Sequence, residues 1–444
     1  MKRTLLKNAR LVNEGEIRNC DVMIVGERIE KIASSIDAPG EVVDLKGNFL
    51  LPGLIDDQVH FREPGLTHKG TIYSESRAAV AGGITSYIEQ PNTRPPALSM
   101  DALEEKFAIA ARNSLANYSF NLGASNDNLE ELLNADYSTF AGIKIFMGSS
   151  TGNMLVDDLR ILERIFSEVP HLLITHCEDE ATIRANMALY EARYGENIPA
   201  SAHPLIRSEE ACYLSSSSAV ALAKKHESRL HVYHISTAKE CLLFSNDIPL
   251  AKKKITAEAC VHHLWFSDAD YAEKGNFIKW NPAVKTAEDR AGIWQAVLDN
   301  RIDVIATDHA PHTLEEKQQP YAQAPSGGPL VQHALQAMTD KVMDGVLSIE
   351  SLVEKMCHNP AILFRIKERG FVREGYYADL CVLDMNTPQQ VTKASLLSKC
   401  AWSPFEGHTF RCSVVGTWVN GVQVWDGKQL FDSSMTKRLE FLTL

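Results

Sequence analysis

The stretch that decides the fold runs from Leu51 to Phe61 and reads LPGLIDDQVHF. It is a short apolar segment, typical of a buried β-strand, and a longer amphipathic segment follows it. The same alternation recurs along the middle of the chain, and it predicts seven further strands: Thr85–Pro91, Tyr118–Gly123, Gly142–Gly148, Leu172–His176, Leu230–Ile235, Ile255–Cys260 and Asp303–Thr307.

Eight strands that alternate with helices predict an α/β fold, specifically a closed (β/α)8 barrel of the TIM type. A doubly wound open sheet is the alternative, and it is disfavoured because no G-x-G-x-x-G turn follows the first strand. Helices are predicted over segments such as Met100–Leu115, Ser215–Lys225, Ala287–Asn300 and Val331–Val342.

Short strand-like segments with turns between them stand at both ends of the chain, for example Thr4–Val12 and Ser413–Val419. We therefore expect a small β domain formed by the N- and C-terminal segments, with the barrel inserted between them. The predicted boundaries are residues 1–50 and 369–444 for the small domain and 51–368 for the barrel.

Composition limits the classes of function. The 444 residues include 45 Lys plus Arg against 57 Asp plus Glu, a formal net charge of −12. This argues against nucleic-acid binding, which needs a basic face, but allows a small anionic ligand in a locally basic pocket. The absence of a long apolar run and of a secretory signal predicts a cytoplasmic protein without a membrane partner. The nine scattered cysteines form no CxxC pair and so predict neither disulfides nor a thiolate metal site.

Polar side chains stand at the predicted C-terminal ends of the strands, where barrels place their active sites. Imidazole and carboxylate are the ligands that catalytic zinc prefers, so their convergence predicts a metal site. The candidates are Gln58, His60, Arg62, Asn92, Lys144, His176, His234 and Asp308.

Two of these residues allow more than one interpretation. Lys144 lies in the apolar strand AGIKIFM. Its ammonium either reaches the rim or pairs with a carboxylate, or it is desolvated and becomes a reactive amine. Such an amine can take up carbon dioxide and become an anionic carbamate. Asp308 is either a helix N-cap or a metal ligand and general base.

Arg62 and Asn92 suggest recognition of a carboxylate, because Arg offers a bidentate fork and Asn an amide donor. A salt bridge between Arg62 and Glu63 is the alternative. The loop Gly148–Gly152, GSSTG, is either an anion cradle or a plain tight turn, and the short motif favours the turn.

These segments resemble the amidohydrolase superfamily, within it the cyclic amidohydrolases, and most of all the dihydroorotase family. The resemblance extends from Pro52-Gly53-Leu54-Ile55-Asp56 to Ser403-Pro404-Phe405-Glu406-Gly407. The other matching segments are His60-Phe61-Arg62-Glu63-Pro64-Gly65, Gln90-Pro91-Asn92-Thr93, Gly142-Ile143-Lys144, Thr175-His176-Cys177-Glu178 and Thr307-Asp308-His309-Ala310-Pro311-His312.

The resemblance implies a binuclear zinc site in the barrel. It assigns His60 and Asp308 to one metal, His176 and His234 to the other, and N6-carboxylated Lys144 to the bridge. The implied reaction is the reversible hydrolysis of the ring amide of dihydroorotate to N-carbamoyl-aspartate, with Asp308 as the catalytic proton acceptor. The residues that match substrate-binding positions are Arg62, Asn92, Asn281 and His312.

The same resemblance implies that the chain forms a homo-oligomer, either a dimer or a tetramer. It also implies a possible association with aspartate transcarbamoylase. Allantoinase and dihydropyrimidinase or hydantoinase are the alternative activities, since they share the metal site. Asn281-Pro282 and the segment His309-Ala310-Pro311-His312 favour dihydroorotase over them.

One position departs from the family pattern. The superfamily signature on the first strand is His-x-His, whereas this chain has Gln58-Val59-His60. An amide oxygen is a poorer zinc ligand than imidazole, so we expect one or two zinc ions per chain, with the site at His60 weakened. Because of this departure, the alternative to an active enzyme is that the chain is a catalytically impaired scaffold or partner subunit.

Overall fold

Eight parallel strands form the centre of the molecule in a computed structural model that describes residues 2–148 and 153–442. Each strand pairs with the next one along the chain, and a parallel bridge between Val59 and His309 brings the last strand's end back to the first. The predicted barrel is confirmed. Its strands are β1 (Leu54–Val59), β2 (Ile84–Glu89), β3 (Asn117–Gly123), β4 (Gly142–Phe146), β5 (Leu173–His176), β6 (Leu230–Val232), β7 (Ile255–Cys260) and β8 (Val304–Ala306).

Helices cover the outside of the barrel, and side-chain caps fix where several of them begin. Thr71 and Thr286 each accept a backbone N–H of the first turn in a reciprocal capping box. The longer helices are Ile72–Ala81, Met100–Asn113, Leu129–Asn134, Leu159–Glu168, Glu180–Tyr194, Glu209–His226, Ala287–Leu298 and Ala334–Met343.

Short helical turns fill the connections, and near the end of the barrel one π-helical turn, Glu354–His358, lies between two short α-helices. The remaining turns are Ala200–Ala202, His203–Ile206, Glu240–Leu243, Leu250–Lys252, Val261–Trp265, Asp268–Asp270, Tyr271–Lys274, Gly275–Ile278, Leu314–Lys317, Ile349–Val353, Asn359–Leu363 and Lys393–Ser395.

A second sheet joins the two ends of the chain, so the expected small β domain is confirmed, while its exact boundaries stay a prediction. Its strand order places C-terminal strands beside N-terminal ones, with Leu380–Asp384 paired antiparallel to Phe49–Pro52. The strands, in spatial order, are Val422–Trp425, Ser413–Val419, Leu380–Asp384, Phe49–Pro52, Arg3–Asn13, Glu16–Val25 and Arg28–Ala33; Glu41–Asp44 pairs with Arg3–Asn13, and Gln389–Gln390 pairs separately with Thr409–Phe410.

The opening stretch Leu51–Phe61 forms two strands rather than the one that its pattern predicts. Phe49–Pro52 belongs to the terminal sheet, and β1 begins only after Gly53. A Cβ atom at Gly53 would lie 2.1 Å from the hydroxyl oxygen of Thr85, so only glycine lets the chain pass from one sheet to the other here. Hydrophobic pattern alone cannot detect this junction, because both strands are buried.

Candidate active site

A cavity of about 500 Å³ opens at the C-terminal ends of the barrel strands. Strand geometry explains the convergence, since the carboxyl ends of parallel strands meet at one end of a barrel. Every side chain that the sequence predicts for the site lines this cavity: Gln58, His60, Arg62, Asn92, Lys144, His176, His234, Asn281, Asp308 and His312.

His60 connects two of the predicted residues. Its Nδ1 lies 2.8 Å from Asn92 Oδ1, and its Nε2 lies 3.1 Å from Asp308 Oδ1. Because Nδ1 donates its hydrogen to the amide oxygen, the neutral ring presents a bare Nε2 to the carboxylate. Burial lowers the pKa of His60, which favours that neutral form. Nε2 of His60 and Oδ1 of Asp308 are both electron-pair donors, and at this distance they can supply two of the four ligands of a zinc ion.

Asp308 does not begin a helix, so the N-cap alternative is wrong. The next helix, Leu314–Lys317, is capped by Thr313 instead. The backbone at Asp308 has φ of +48° and that at His234 has φ of +42°, in the left-handed region that non-glycine residues avoid. Such conformations cost on the order of 1 kcal/mol or more each and cluster at functional sites. The indole Nε1 of Trp280 donates to the Asp308 carbonyl, 3.3 Å away.

His176 and His234 lie side by side, with Nδ1 of the first 2.9 Å from Nε2 of the second. Burial lowers the pKa of His176, and it lowers that of His234 well below the usual value, so both rings are neutral at physiological pH. Among the described residues, Nδ1 of His234 is buried without a hydrogen-bond partner. The pair therefore offers ring nitrogens in the protonation state that metals require.

Lys144 is 1% exposed, and its Nζ lies 4.1 Å from the centre of the Tyr233 ring. The side chain does not reach the rim. Burial lowers the pKa of Lys144 to about 8, although Glu258 and Asp308 act in the opposite direction. A larger fraction of neutral amine than in an ordinary lysine is therefore present at physiological pH, as carbamate formation requires.

Glu178, which is paired with Arg207, holds the ring of His176 in a fixed orientation. Glu178 Oε2 lies 2.9 Å from His176 Nε2 and 2.6 Å from Arg207 Nη2, and Glu178 is completely buried. Burial alone would raise the pKa of Glu178, but Arg207 and His176 together hold it well below its usual range. A carboxylate that is hydrogen-bonded to one ring nitrogen of a histidine fixes the tautomer and the orientation of the ring. Histidines that bind metal ions are commonly held in this way.

Gln58 occupies the position where the superfamily signature has histidine. Its side chain is 1% exposed and lines the cavity, and its Oε1 accepts a hydrogen bond from Cys260 Sγ, 3.5 Å away. The neutral amide therefore faces the cavity next to a thiol. Burial raises the pKa of Cys260 well above its usual value, which keeps this thiol protonated.

Arg62 and His312, two of the residues predicted to bind substrate, line the cavity in contact with each other. Arg62 donates from Nε to the Pro311 carbonyl at 3.0 Å, and its Nη2 lies 3.0 Å from His312 Nε2. Burial lowers the pKa of Arg62 to about 10, so the guanidinium stays charged at neutral pH. The alternative, a salt bridge between Arg62 and Glu63, is not what the structure shows. Glu63 Oε2 instead accepts the backbone N–H of Ile72.

Three further cations that the sequence did not single out line the cavity: Lys69, Arg94 and Arg207. With Arg62 and Lys144, they make five basic side chains against two acidic ones, Glu180 and Asp308. The cavity is thus basic within a protein of net charge −12. Lys69 and Arg94 follow predicted strands by several residues, and only their closeness to the strand ends could have indicated them. Residues 149–152, most of the predicted GSSTG loop, lie outside the described residues.

A second group of metal-capable side chains lies deeper in the barrel. Asp57, His231 and Glu258 each place one donor atom within 4.8 Å of the other two, and all three are buried. None of them was predicted, because a sequence shows a residue's strand but not which other strands face it across a barrel.

The comparisons with known proteins agree with this architecture. Residues 172–424 match the model of the amidohydrolase family, and residues 47–240 match the model described as dihydro-orotase-like. Among solved structures, L-hydantoinase (dihydropyrimidinase) from Arthrobacter aurescens is 27% identical, with a TM-score of 0.92 over 99% of this chain and 100% of that one. The dihydropyrimidinase of Brevibacillus agri, 22% identical with a TM-score of 0.88, shows the same fold. The fold and the cavity together define a cyclic-amide hydrolase of the amidohydrolase type.

Sequence relatives narrow this class. A dihydroorotase of Halobacterium salinarum is 35% identical over 93% of this chain and 94% of its own length. Those of Staphylococcus epidermidis and Methanothermobacter thermautotrophicus are 31% and 33% identical over 95% and 91% of this chain. The chain belongs to the dihydroorotase family, which confirms the family membership that its sequence motifs predict.

Proposed function

We propose that this chain catalyses the reversible hydrolysis of the ring amide of (S)-dihydroorotate to N-carbamoyl-L-aspartate, the third step of de novo pyrimidine (UMP) biosynthesis. The observation that carries the proposal is the buried, charged Arg62 beside Asn92 and His312 in a basic cavity. Dihydroorotate has a carboxylate, whereas hydantoin, dihydrouracil and allantoin have none. A site built for those neutral rings has no use for a buried guanidinium, whose burial is costly without an anionic partner.

We propose a role for each side chain that its position in the cavity supports. Arg62, Asn92, Asn281 and His312 would hold the substrate so that its ring amide lies between the two groups of histidines. Asp308 would take a proton from the attacking water and return it to the leaving nitrogen, a role supported by its carboxylate facing the cavity beside His60.

The donor set fits zinc. His60 and Asp308 would hold one ion, His176 and His234 the other, and carboxylated Lys144 would lie between them. When bound, zinc supplies Lewis-acid polarisation of a carbonyl oxygen and a water whose pKa is about 7. Gln58 cannot replace an imidazole, so we propose that the ion at His60 and Asp308 is the weaker of the two. Anomalous scattering that locates two equally occupied zinc ions in the cavity after mild chelation would contradict this asymmetry.

The test of the function is turnover of a substrate panel by the purified chain with added zinc and bicarbonate. We expect release of N-carbamoyl-aspartate from dihydroorotate and little turnover of hydantoin, dihydrouracil or allantoin. Arg62→Gln is the diagnostic variant, because it should weaken dihydroorotate binding while leaving any residual hydantoin activity unchanged. Preference for a neutral ring would favour the hydantoinase or allantoinase alternative, and no turnover of any substrate would favour the scaffold hypothesis.

The remaining sequence predictions concern the protein's surroundings. No helix among the described residues has both the length and the hydropathy needed to cross a membrane. A cytoplasmic location, a dimeric or tetrameric homo-oligomer and association with aspartate transcarbamoylase stay predictions. Analytical ultracentrifugation of the chain, alone and mixed with that enzyme, tests the last two.

A further inference from the structure

Three charged or chargeable side chains meet inside the barrel, outside the lining of the cavity. Asp57 comes from β1, His231 from β6 and Glu258 from β7, and each has a relative exposure of 0%. His231 Nε2 lies 3.3 Å from Asp57 Oδ2 and 3.8 Å from Glu258 Oε2. Strands β1 and β6 are not neighbours in the barrel, so the three side chains meet across its interior.

Hydrogen bonding on the far side of the imidazole decides which atom faces the carboxylates. The hydroxyl of Thr256 donates to the Leu230 carbonyl at 3.2 Å, so its oxygen accepts a hydrogen from His231 Nδ1, 2.9 Å away. Nε2 is left to face both carboxylates, which raise the pKa of His231 to about 9 against its burial, so this nitrogen holds either a proton or, in the neutral ring, a metal ion. A histidine that binds a metal ion has this same arrangement, with its second nitrogen donating to a protein oxygen.

The atoms that face one another lack hydrogen bonds. Among the described residues, Asp57 Oδ1 and Oδ2, Glu258 Oε2 and His231 Nε2 are buried without a hydrogen-bond partner. Buried polar atoms are nearly always paired, and an unpaired buried carboxylate is especially costly. One donor atom from each of the three side chains lies within 4.8 Å of the other two, so the group calls for a positive charge among them, either a proton on the ring or a metal ion.

We propose that Asp57, His231 and Glu258 hold a divalent cation of the zinc or manganese class at a site inside the barrel, separate from the cavity. Tetrahedral bonds of about 2.0–2.2 Å put ligand atoms about 3.3–3.6 Å apart, and the two distances from His231 Nε2 lie close to that range. Two carboxylates neutralise a divalent charge, which removes the cost of burying them. Since the site is sealed from solvent, the ion stabilises the barrel rather than acting on substrate.

Anomalous scattering from crystals of the wild-type protein tests the proposal, with one preparation loaded with zinc and a parallel one with manganese. We expect a peak between the three side chains in at least one preparation, distinct from any peak in the cavity. If neither preparation shows density there, the proposal is overturned, and a shared proton is then the bridging charge. The cavity and the interior give separate peaks, so failure here leaves the proposed dihydroorotase activity untouched, and the reverse also holds.

Metal analysis of two matched variants gives a second measurement in solution. Asp57→Asn combined with Glu258→Gln removes both negative charges at nearly constant volume, and we expect it to lose one metal equivalent per chain. His176→Asn alters the cavity instead and should keep the interior equivalent. An unchanged metal content in the double variant would overturn the proposal, and should that variant not fold, the anomalous map of the wild type decides.

Discussion

The cavity and the interior cluster use the same chemistry in two different surroundings. In the cavity, His60 Nε2 faces Asp308 Oδ1 at 3.1 Å; in the interior, His231 Nε2 faces Asp57 Oδ2 at 3.3 Å. In both, the other ring nitrogen is occupied by a neighbouring oxygen. The cavity pair opens onto about 500 Å³ of space, whereas the interior group is sealed by the barrel wall.

This difference shows that residue type alone does not separate a catalytic site from a structural one. A reacting group needs access to substrate and water, and only the pair at the strand ends has it. An ionisable group inside the barrel instead contributes to the stability of the fold. Substitutions at the cavity should therefore change turnover with little change in stability, and substitutions of sealed groups should do the opposite.

The largest effect is expected for Asp308→Asn, which removes the proton acceptor at almost constant volume. General acid–base catalysis contributes about 10²–10⁴-fold, so we expect kcat for dihydroorotate to fall by about 10³-fold. Thermal unfolding should change little. A loss of kcat below tenfold, measured at saturating substrate, would mean that another group takes the proton.

A loss of stability is expected for Arg207→Met although Arg207 lines the cavity, because the change leaves the sealed carboxylate of Glu178 without its cation. Breaking a buried ion pair from one side costs about 3–5 kcal/mol, which urea unfolding would detect. Arg164→Met is the matched control, since Arg164 and Glu168 form an exposed pair one helical turn apart. Such pairs contribute about 0.3–0.5 kcal/mol, so equal losses in the two variants would contradict the role of burial.

A pH-dependent contribution to the free energy of unfolding is expected from Asp56, whose carboxyl accepts hydrogen bonds from Thr307 inside the barrel. Burial raises the pKa of Asp56 to about 7. A raised folded-state pKa means that the stabilisation is fully present below the unfolded value of about 3.9 and is lost as the pH rises through about 7.

Asp56→Asn carries no such titration, so the pH dependence of its unfolding free energy should be flatter than that of the wild type. Between pH 5 and pH 7 we expect the difference to reach about 2 kcal/mol, given 1.36 kcal/mol for each unit of pKa. Urea unfolding at a series of pH values measures it. Parallel curves for the two proteins would show that Asp56 ionises normally in the folded state.

The smallest effect is expected for Arg62→Lys, which keeps the positive charge in the cavity but loses the planar fork. We expect KM for dihydroorotate to rise about tenfold, the equivalent of losing one charge-assisted hydrogen bond, while kcat changes less. Steady-state kinetics separates the two constants. An unchanged KM would place the substrate carboxylate against another of the cavity's cations, such as Arg94.

Much of this architecture could be predicted from sequence. The strand–helix alternation indicates the barrel, and the rule that strand ends converge predicts that His60, His176, His234 and Asp308 lie together. One feature that could not be predicted depends on a contact between distant segments. Leu51–Phe61 has one hydrophobic pattern but enters two sheets, and the division at Gly53 depends on the approach of Thr85.

By itself, the sequence determined the periodicity of the strands, the types of side chain at their ends and the glutamine at position 58. These are local properties, fixed by the order of residues along one segment. Only the tertiary structure decided that Lys144 is buried at the cavity with its Nζ over the Tyr233 ring, that Arg94 and Lys69 line the same cavity, and that Asp57, His231 and Glu258 meet. The physical reason is that burial and charge pairing depend on which strands face one another across the barrel, and no segment carries that information alone.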